Sequence, residues 1–412
     1  MTDPAVRLHA FLNDQRERQT AFLAELVREP SDNPPGNCRR HAERAAKLLE
    51  GLGLEVERHP VPDAVVTKNG MISATNLVVR RRFGDGPVIA LNAHGDVVPP
   101  GEGWTKEPYG AAVIDGWMYG RGVAVSKSDF ATYTWALLAL KELRVPLEGT
   151  VELHFTYDEE IGGQIGPAWL LEQGLSCPNY AIGAGFSYSI VNAHNGCLHL
   201  EVEVRGRSAH AAKPFTGIDA LEAANHILSA LFAWRKTLAQ RTSTVPGIGS
   251  PQMTVGLING GINTNVVPDR VAFRLDRRII PDEDPANVET ELRGIIEGAA
   301  RAHPAASVEV SRILLAEPLK PIRGSERLTD LLCKRASELM GEPIHATGVP
   351  LYTDARHYAA KGVPIVLYGA GPHTIEEANA HRADERLRLT DLHKATEVIS
   401  LALLDLLTEG GE

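Results

Sequence analysis

Residues 87–96, PVIALNAHGD, constrain the fold more than any other stretch. The run is almost continuously apolar, which suits a strand buried on both faces rather than one with a wet side. Such a strand needs helices above and below it, and the chain supplies them. Residues 5–28 carry apolar positions at helical spacing. Residues 38–61 read as a helix closed by glycine and then a strand. TNLVVRRR (75–82) reads as a strand, 128–143 as a helix, and GTVELHFTYDEE (149–160) as a strand ending in acids. This strand–helix alternation predicts an α/β layer with a substantially parallel sheet.

Near Gly196 the texture changes. CLHLEVEVRGRSAH (197–210), QMTVGLINGG (252–261) and RVAFRLDRRI (270–279) alternate apolar and polar residues, as half-exposed strands do. Helical stretches over 217–240 and 285–302 separate them. The block reads as a small two-layer α+β insert. After residue 313 the α/β pattern resumes with a helix over 324–340, the strand PIVLYGAG (364–371) and a helix over 390–408. The expected division is therefore 1–195 with 313–412 as one discontinuous domain, and 196–312 as the insert.

Composition removes several function classes. The net charge is −10 and no basic run appears, so nucleic acid is not an expected partner. The four cysteines, Cys38, Cys177, Cys197 and Cys333, are scattered without CxxC spacing, which fits reduced thiols. The N-terminus has no basic segment followed by an apolar core, so it does not read as a signal peptide. No stretch of ~18 apolar residues predicts a membrane span. The expected compartment is the cytoplasm.

Four acid and histidine clusters fall at predicted strand ends, where ligands bind in open α/β sheets. NAHGDVVP holds His94 and Asp96. A His-x-Asp pair lets a carboxylate fix one imidazole nitrogen while the other binds a metal. YDEEIGG holds Asp158, Glu159 and Glu160. Of two adjacent glutamates, one can ligate a metal and the other move a proton. His381 and His210 complete the set. Singly, each has a plainer reading: a surface polar pair, a solvated acidic face. Together they form a set that zinc, cobalt or manganese accepts.

These segments also resemble the M20 family of metallohydrolases, which includes acetylornithine deacetylase, succinyl-diaminopimelate desuccinylase, aminoacylase-1 and carboxypeptidase G2 relatives. HGDVVPPGEGWTKEPYGAAVIDGWMYGRG, TYDEEIGG, RGRSAHAAKPFTGIDA, GGINTNVVPDRVAFRLDRRIIP, YTDARHYAAKGVPIVLYGAG and AHRADERL are similar, in order, to the family's motifs over nearly the whole chain. The resemblance implies a zinc-peptidase-like α/β catalytic domain with an inserted α+β lid that forms a dimer interface. It implies a hydrolase of C–N bonds, acting through metal-activated water on a small N-acyl amino acid or peptide that bears a carboxylate. By position, His94, Glu160 and His381 match metal ligands, Asp96 the residue that orients His94, and Glu159 the general base. His210 matches an oxyanion-stabilising histidine. Asn265, Arg278 and Arg356 match substrate-side groups. A homodimer or higher homo-oligomer is implied as well.

Two family ligands are absent. The bridging aspartate position is Val125, in GRGVAVSKSD, and the carboxylate of a GEP-like segment is replaced by Ala184. A two-metal site needs a bridge to hold cations ~3.5–4 Å apart, so one divalent ion per subunit, zinc, manganese or cobalt, is the expectation. Asp129 lies one helical turn past Val125 and is an added candidate ligand, or else an ordinary first-turn acid. Ser126 and Ser128 read as helix caps. Two other functions remain open at this point: aminohydrolysis of an aromatic amino acid such as 5-nitroanthranilate, and a non-catalytic binding protein derived from the family.

Overall fold

The computed structural model describes residues 3–143 and 145–408. The chain separates into two compact units. The first comprises residues up to Asn192 together with Pro321–Ala346 and the chain from Thr353 onward. The second comprises Ala193–Lys320 and the short excursion Thr347–Tyr352.

The first unit holds most of a mixed eight-stranded sheet. Its order runs Glu57–Pro60, Thr75–Arg82, Thr150–Thr156, Val88–His94, Tyr180–Gly183, Ile365–Leu367, Ile190–His194 and Ala346–Val349. The apolar strand Val88–His94 lies inside it and pairs in parallel with Thr150–Thr156 on one side and Tyr180–Gly183 on the other. The register places His94 beside Thr156. The loops leaving these two strands therefore start from the same edge, which brings the HGD and DEE segments together. On the other flank Asn92 pairs with Gly183, and the amide of Ala184 donates to the Asn92 carbonyl at 2.8 Å.

The helix Lys127–Leu143 is apolar on nearly every side and is almost wholly buried, as a helix without a polar face must be. Phe130 stacks on Phe155 of the sheet at 3.9 Å between ring centroids, and Trp135 meets Phe22 of the helix Pro4–Arg28 edge-on at 5.2 Å. The closing helix Leu389–Thr408 packs against both of these helices. A small second sheet joins Ala112–Ile114, Trp117–Tyr119 and Arg386–Arg388. Its strands of three residues are too short for a periodicity to show in sequence, yet it ties the chain after His381 to the chain before Arg121.

The second unit is a four-stranded antiparallel sheet in the order Gln252–Gly260, Arg270–Ile279, Gly196–Arg205, Ser307–Ala316. Leu198, Leu200, Val202 and Val204 alternate onto one face and are fully buried with the helices Ala220–Arg235 and Pro285–Ala300. Both helices begin at an aspartate cap: Asp219 accepts from the amides of Leu221 and Glu222, and Asp284 from that of Asn287. The α-helix expected over 217–240 ends at Arg235 and continues as a 3₁₀ turn to Gln240. The strand Ser307–Ala316 runs through the boundary expected at 312.

Candidate active site

His94 is the pivot of the site. Its side chain is buried, and Nδ1 lies 3.0 Å from the Asp96 carbonyl and 3.4 Å from Asp96 Oδ1. With Nδ1 occupied, Nε2 is the nitrogen left to face outward, and it lies 4.0 Å from Glu159 Oε2. Asp96 is fully buried and also accepts from the amides of Glu159 and Glu160 at 3.3 and 3.2 Å and from Asn33 Nδ2 at 2.9 Å. Asp96 thus sets both the histidine tautomer, through its carbonyl with its carboxylate alongside, and the start of the Glu159–Glu160 turn, through its carboxylate.

That turn is closed by two glycines. Gly162 has φ +112° and Gly163 φ +68°, conformations that favour glycine. A Cβ at Gly163 would stand 2.1 Å from Asp354 Oδ1. Among the described residues, ligand atoms of His94, Glu159 and Glu160 all lie within 4.8 Å of one another. His381 Nε2 is 3.5 Å from Glu160 Oε1, one step out from this group. His381 has φ +60°, uncommon for a residue with a side chain. Its loop is pinned by Asp384, which accepts from the amides of Thr105 and Lys106 at 2.9 and 3.1 Å, and by the buried Arg121–Glu385 ion pair at 2.7 Å. Arg121 also donates to the Arg382 carbonyl, and Glu385 accepts from the amide of Ala124 at 3.0 Å. The GRG segment and the His381 loop are therefore locked together.

The electrostatics point to a cation. Burial, helped by Glu160 and Asp96, pushes the Glu159 carboxyl up to about 8 against the pull of His94. Burial disfavours the His94 imidazolium, but Asp96, Glu159 and Glu160 outweigh it and raise His94 well above the ordinary range. Asp354, also buried, is raised by burial and by Glu159. Imidazole and carboxylate donors gathered this closely are of the types that a divalent ion accepts.

Several sequence expectations meet a different geometry. Asp129 does not join His94, Glu159 and Glu160. It is 1% exposed, and its carboxylate accepts from the amide of Ala370 at 2.8 Å and from that of Gly185. It fits so closely that a Cβ on Gly369 would stand 2.2 Å from Oδ1. Ser126 is no helix cap either: its hydroxyl is 2.8 Å from the His94 amide and 2.9 Å from the His94 carbonyl. Ser128 donates back to the Ala124 carbonyl within its own turn. Arg356, read as a substrate-side group, is 6% exposed and donates to the Gly162 carbonyl, so it braces the glutamate turn. Val125 and Ala184 are half-buried and pack against the apolar core.

In the second unit, His210 and Asn265 are exposed and come together. Residue 210 bridges Val266, and the Ala211 amide donates to the Asn265 carbonyl at 3.0 Å. Arg278 is ion-paired with Asp276 at 3.0 Å. Residues that sequence reading passed over are Asn33, Arg121, Ser126 as a tether, Asp354 and Glu385. Arg121, Asp354 and Glu385 lay inside segments already singled out for chemistry. Asn33 lay in SDNPPGN, which reads only as a break.

The sequence pattern of peptidase family M20/M25/M40 matches residues 90–405. The chain belongs to this family. It is an M20-type metal-dependent hydrolase acting on C–N bonds. It is 29% identical over 364 residues to acetylornithine deacetylase of Myxococcus xanthus, covering 87% of this chain and 90% of the relative. It is 28% identical over 389 residues to succinyl-diaminopimelate desuccinylase of Gluconacetobacter diazotrophicus, covering 92% and 94%. Human carnosine dipeptidase 1 shares the fold of this M20 chain with a TM-score of 0.74 at 16% identity, covering 98% and 99%. So does the Bacillus subtilis YXEP protein, described as a dinuclear metal-binding M20 peptidase, with a TM-score of 0.66 at 20% identity, covering 97% and 98%. Among the described residues, no helix is long and apolar enough to cross a membrane.

Proposed function

We propose that this M20 hydrolase is a single-metal amidohydrolase of small carboxylate-bearing N-acyl amino acids or peptides. One observation carries the reading. His94 presents a single free nitrogen toward Glu159 and Glu160, with His381 beside Glu160, while Val125 and Ala184 stand where the resemblance implies two further carboxylates. His94, Glu160 and His381 are the ligands, and the ion is zinc, manganese or cobalt. When bound, such an ion polarises the scissile carbonyl and makes water more acidic. Asp96 holds His94 in the tautomer that leaves Nε2 free. Glu159 takes a proton from the attacking water at its carboxylate and returns it to the leaving amine. Arg356 and the two glycines keep that carboxylate at its post.

His210, Asn265 and Arg278 are the proposed groups for the oxyanion and the substrate carboxylate. A homodimer through the second unit is part of the reading. Its support is the edge strand Gln252–Gly260, where Leu257 and Ile258 are exposed, with Ile262 just beyond, an edge of the kind that pairs with another chain. The four free cysteines support a reducing, cytoplasmic setting.

The test is a turnover screen of N-acyl amino acids and dipeptides against aminobenzoates, each divalent metal supplied in turn, with metal content measured per chain. Cleavage of an acyl amino acid at one ion per chain is the expected result. Turnover of aminobenzoates alone would replace this reading with aromatic deamination. Two ions at full occupancy would remove the single-metal part of it.

A further inference from the structure

The segment around Asn33 reads in sequence as a plain break, yet it is laced to the far side of the HGD loop. Val97 N donates to the Ser31 carbonyl at 3.1 Å, and Asn33 N donates to the Val97 carbonyl at 2.8 Å. Ser31 Oγ donates to the Gly95 carbonyl. Gly36 N closes the turn on the Asp32 carbonyl at 2.8 Å. This scaffold carries the Asn33 side chain to Asp96 at 1% exposure.

Asn33 Nδ2 lies 2.9 Å from Asp96 Oδ2, the shortest of the four side-chain contacts that Asp96 makes. The other three come from His94 itself and from the Glu159 and Glu160 amides, groups that belong to the site. Among the described residues, Asn33 is the hydrogen-bond donor to Asp96 that comes from outside the HGD and DEE segments. Its own Oδ1 is buried without a protein partner, so the amide is not buried to satisfy itself. A neutral donor also suits this place. A carboxylate there would repel Asp96, and a cation would cancel the charge that makes His94 a basic ligand.

We propose that Asn33 is a positioning residue that locks the Asp96 carboxylate and, through it, the ligand nitrogen of His94. The proposal rests on the metal reading given above. The experiment is cobalt(II) titration of the full chain and of Asn33→Asp and Asn33→Ala, followed by visible absorption and by chelator competition, with folding checked by circular dichroism. Asn33→Asp turns the donor into a second carboxylate, and outer-shell changes of this kind weaken metal binding about 10- to 100-fold. The expected result is that loss, together with a shifted cobalt absorption band that a purely structural role would not produce. Asn33→Ala, which adds no charge, carries the test if Asn33→Asp does not fold. Wild-type affinity and an unchanged spectrum in a folded Asn33→Ala overturn the proposal. A wild-type chain that takes up no cobalt overturns the metal reading itself, and this proposal with it.

Discussion

The two sides of His94 are built in opposite ways. On one side Asp96, Glu159 and Glu160 crowd together, each fixed by backbone amides or by a neighbouring turn. On the other, Val125 and Ala184 stand against the apolar core, and Asp129 spends its carboxylate on the amides of Ala370 and Gly185. The backbone on this second side is still held as tightly as on the first. Ser126 bonds the His94 main chain, and Ala184 bonds Asn92. The difference teaches that a side without acidic side chains can still have its backbone held by hydrogen bonds. Here the Ser126 hydroxyl, bonded to the His94 main chain, and the Asp129 carboxylate, accepting from the Ala370 and Gly185 amides, hold the loops beside Val125 and Ala184.

Changing the crowded side tests the comparison most severely. Glu159→Ala is expected to lower kcat by about 10²–10⁴-fold, the usual range for a positioned proton-transfer group. Metal content should stay at the wild-type level, since Glu159 is the base in this reading and not a ligand. Turnover kinetics with metal analysis on the same preparation checks both halves, and a variant stripped of metal would assign Glu159 to the ligand set instead. Restoring the bare side comes next. Val125→Asp with Ala184→Glu should raise metal content from one ion per chain toward two, read by elemental analysis. An unchanged content would mean that the apolar side is closed to a cation for reasons beyond its two missing acids.

Asp129 supplies the smaller effects. Asp129→Ala leaves two buried amides without a partner, for a stability loss of about 1–3 kcal/mol each at most, visible in denaturant unfolding. Metal affinity should change little, and its collapse would return Asp129 to the ligand set. Burial holds the Asp129 carboxyl at about 7 against an ordinary 3.8. Between those values the folded chain keeps a proton that the unfolded chain has released. This group's contribution to stability therefore falls as pH rises from about 4 to about 7, then levels. Asp129→Asn should flatten that part of the profile in urea melts across the range, and an unaltered slope would place the titration elsewhere.

The α/β frame was legible because its strands announce themselves by burial. A continuous apolar run such as Val88–His94 has few other uses, and the alternating strands of the second unit expose their polar face just as plainly. The strands 112–114, 117–119 and 386–388 were not legible, because three residues carry no period and, unlike the buried Ile365–Leu367, these do not form a continuous buried run. They nevertheless join the His381 loop to the GRG segment.

At the site, the chemical types were written in the chain. His94, Asp96, Glu159, Glu160 and His381 could be chosen from local motifs, because a metal centre restricts which side chains serve it. So could Val125 and Ala184, apolar residues at positions where the resemblance implies carboxylates. What each remaining side chain touches was decided only in three dimensions. Asp129 and Arg356 looked like groups for a metal and a substrate, but they are buried against backbone amides and a carbonyl from distant segments. Asn33 looked like punctuation and stands against Asp96. The physical reason is the same in each case: a buried polar group goes to whichever unsatisfied partner the fold brings within about 3 Å, and that partner is set by the packing of segments far apart in the chain.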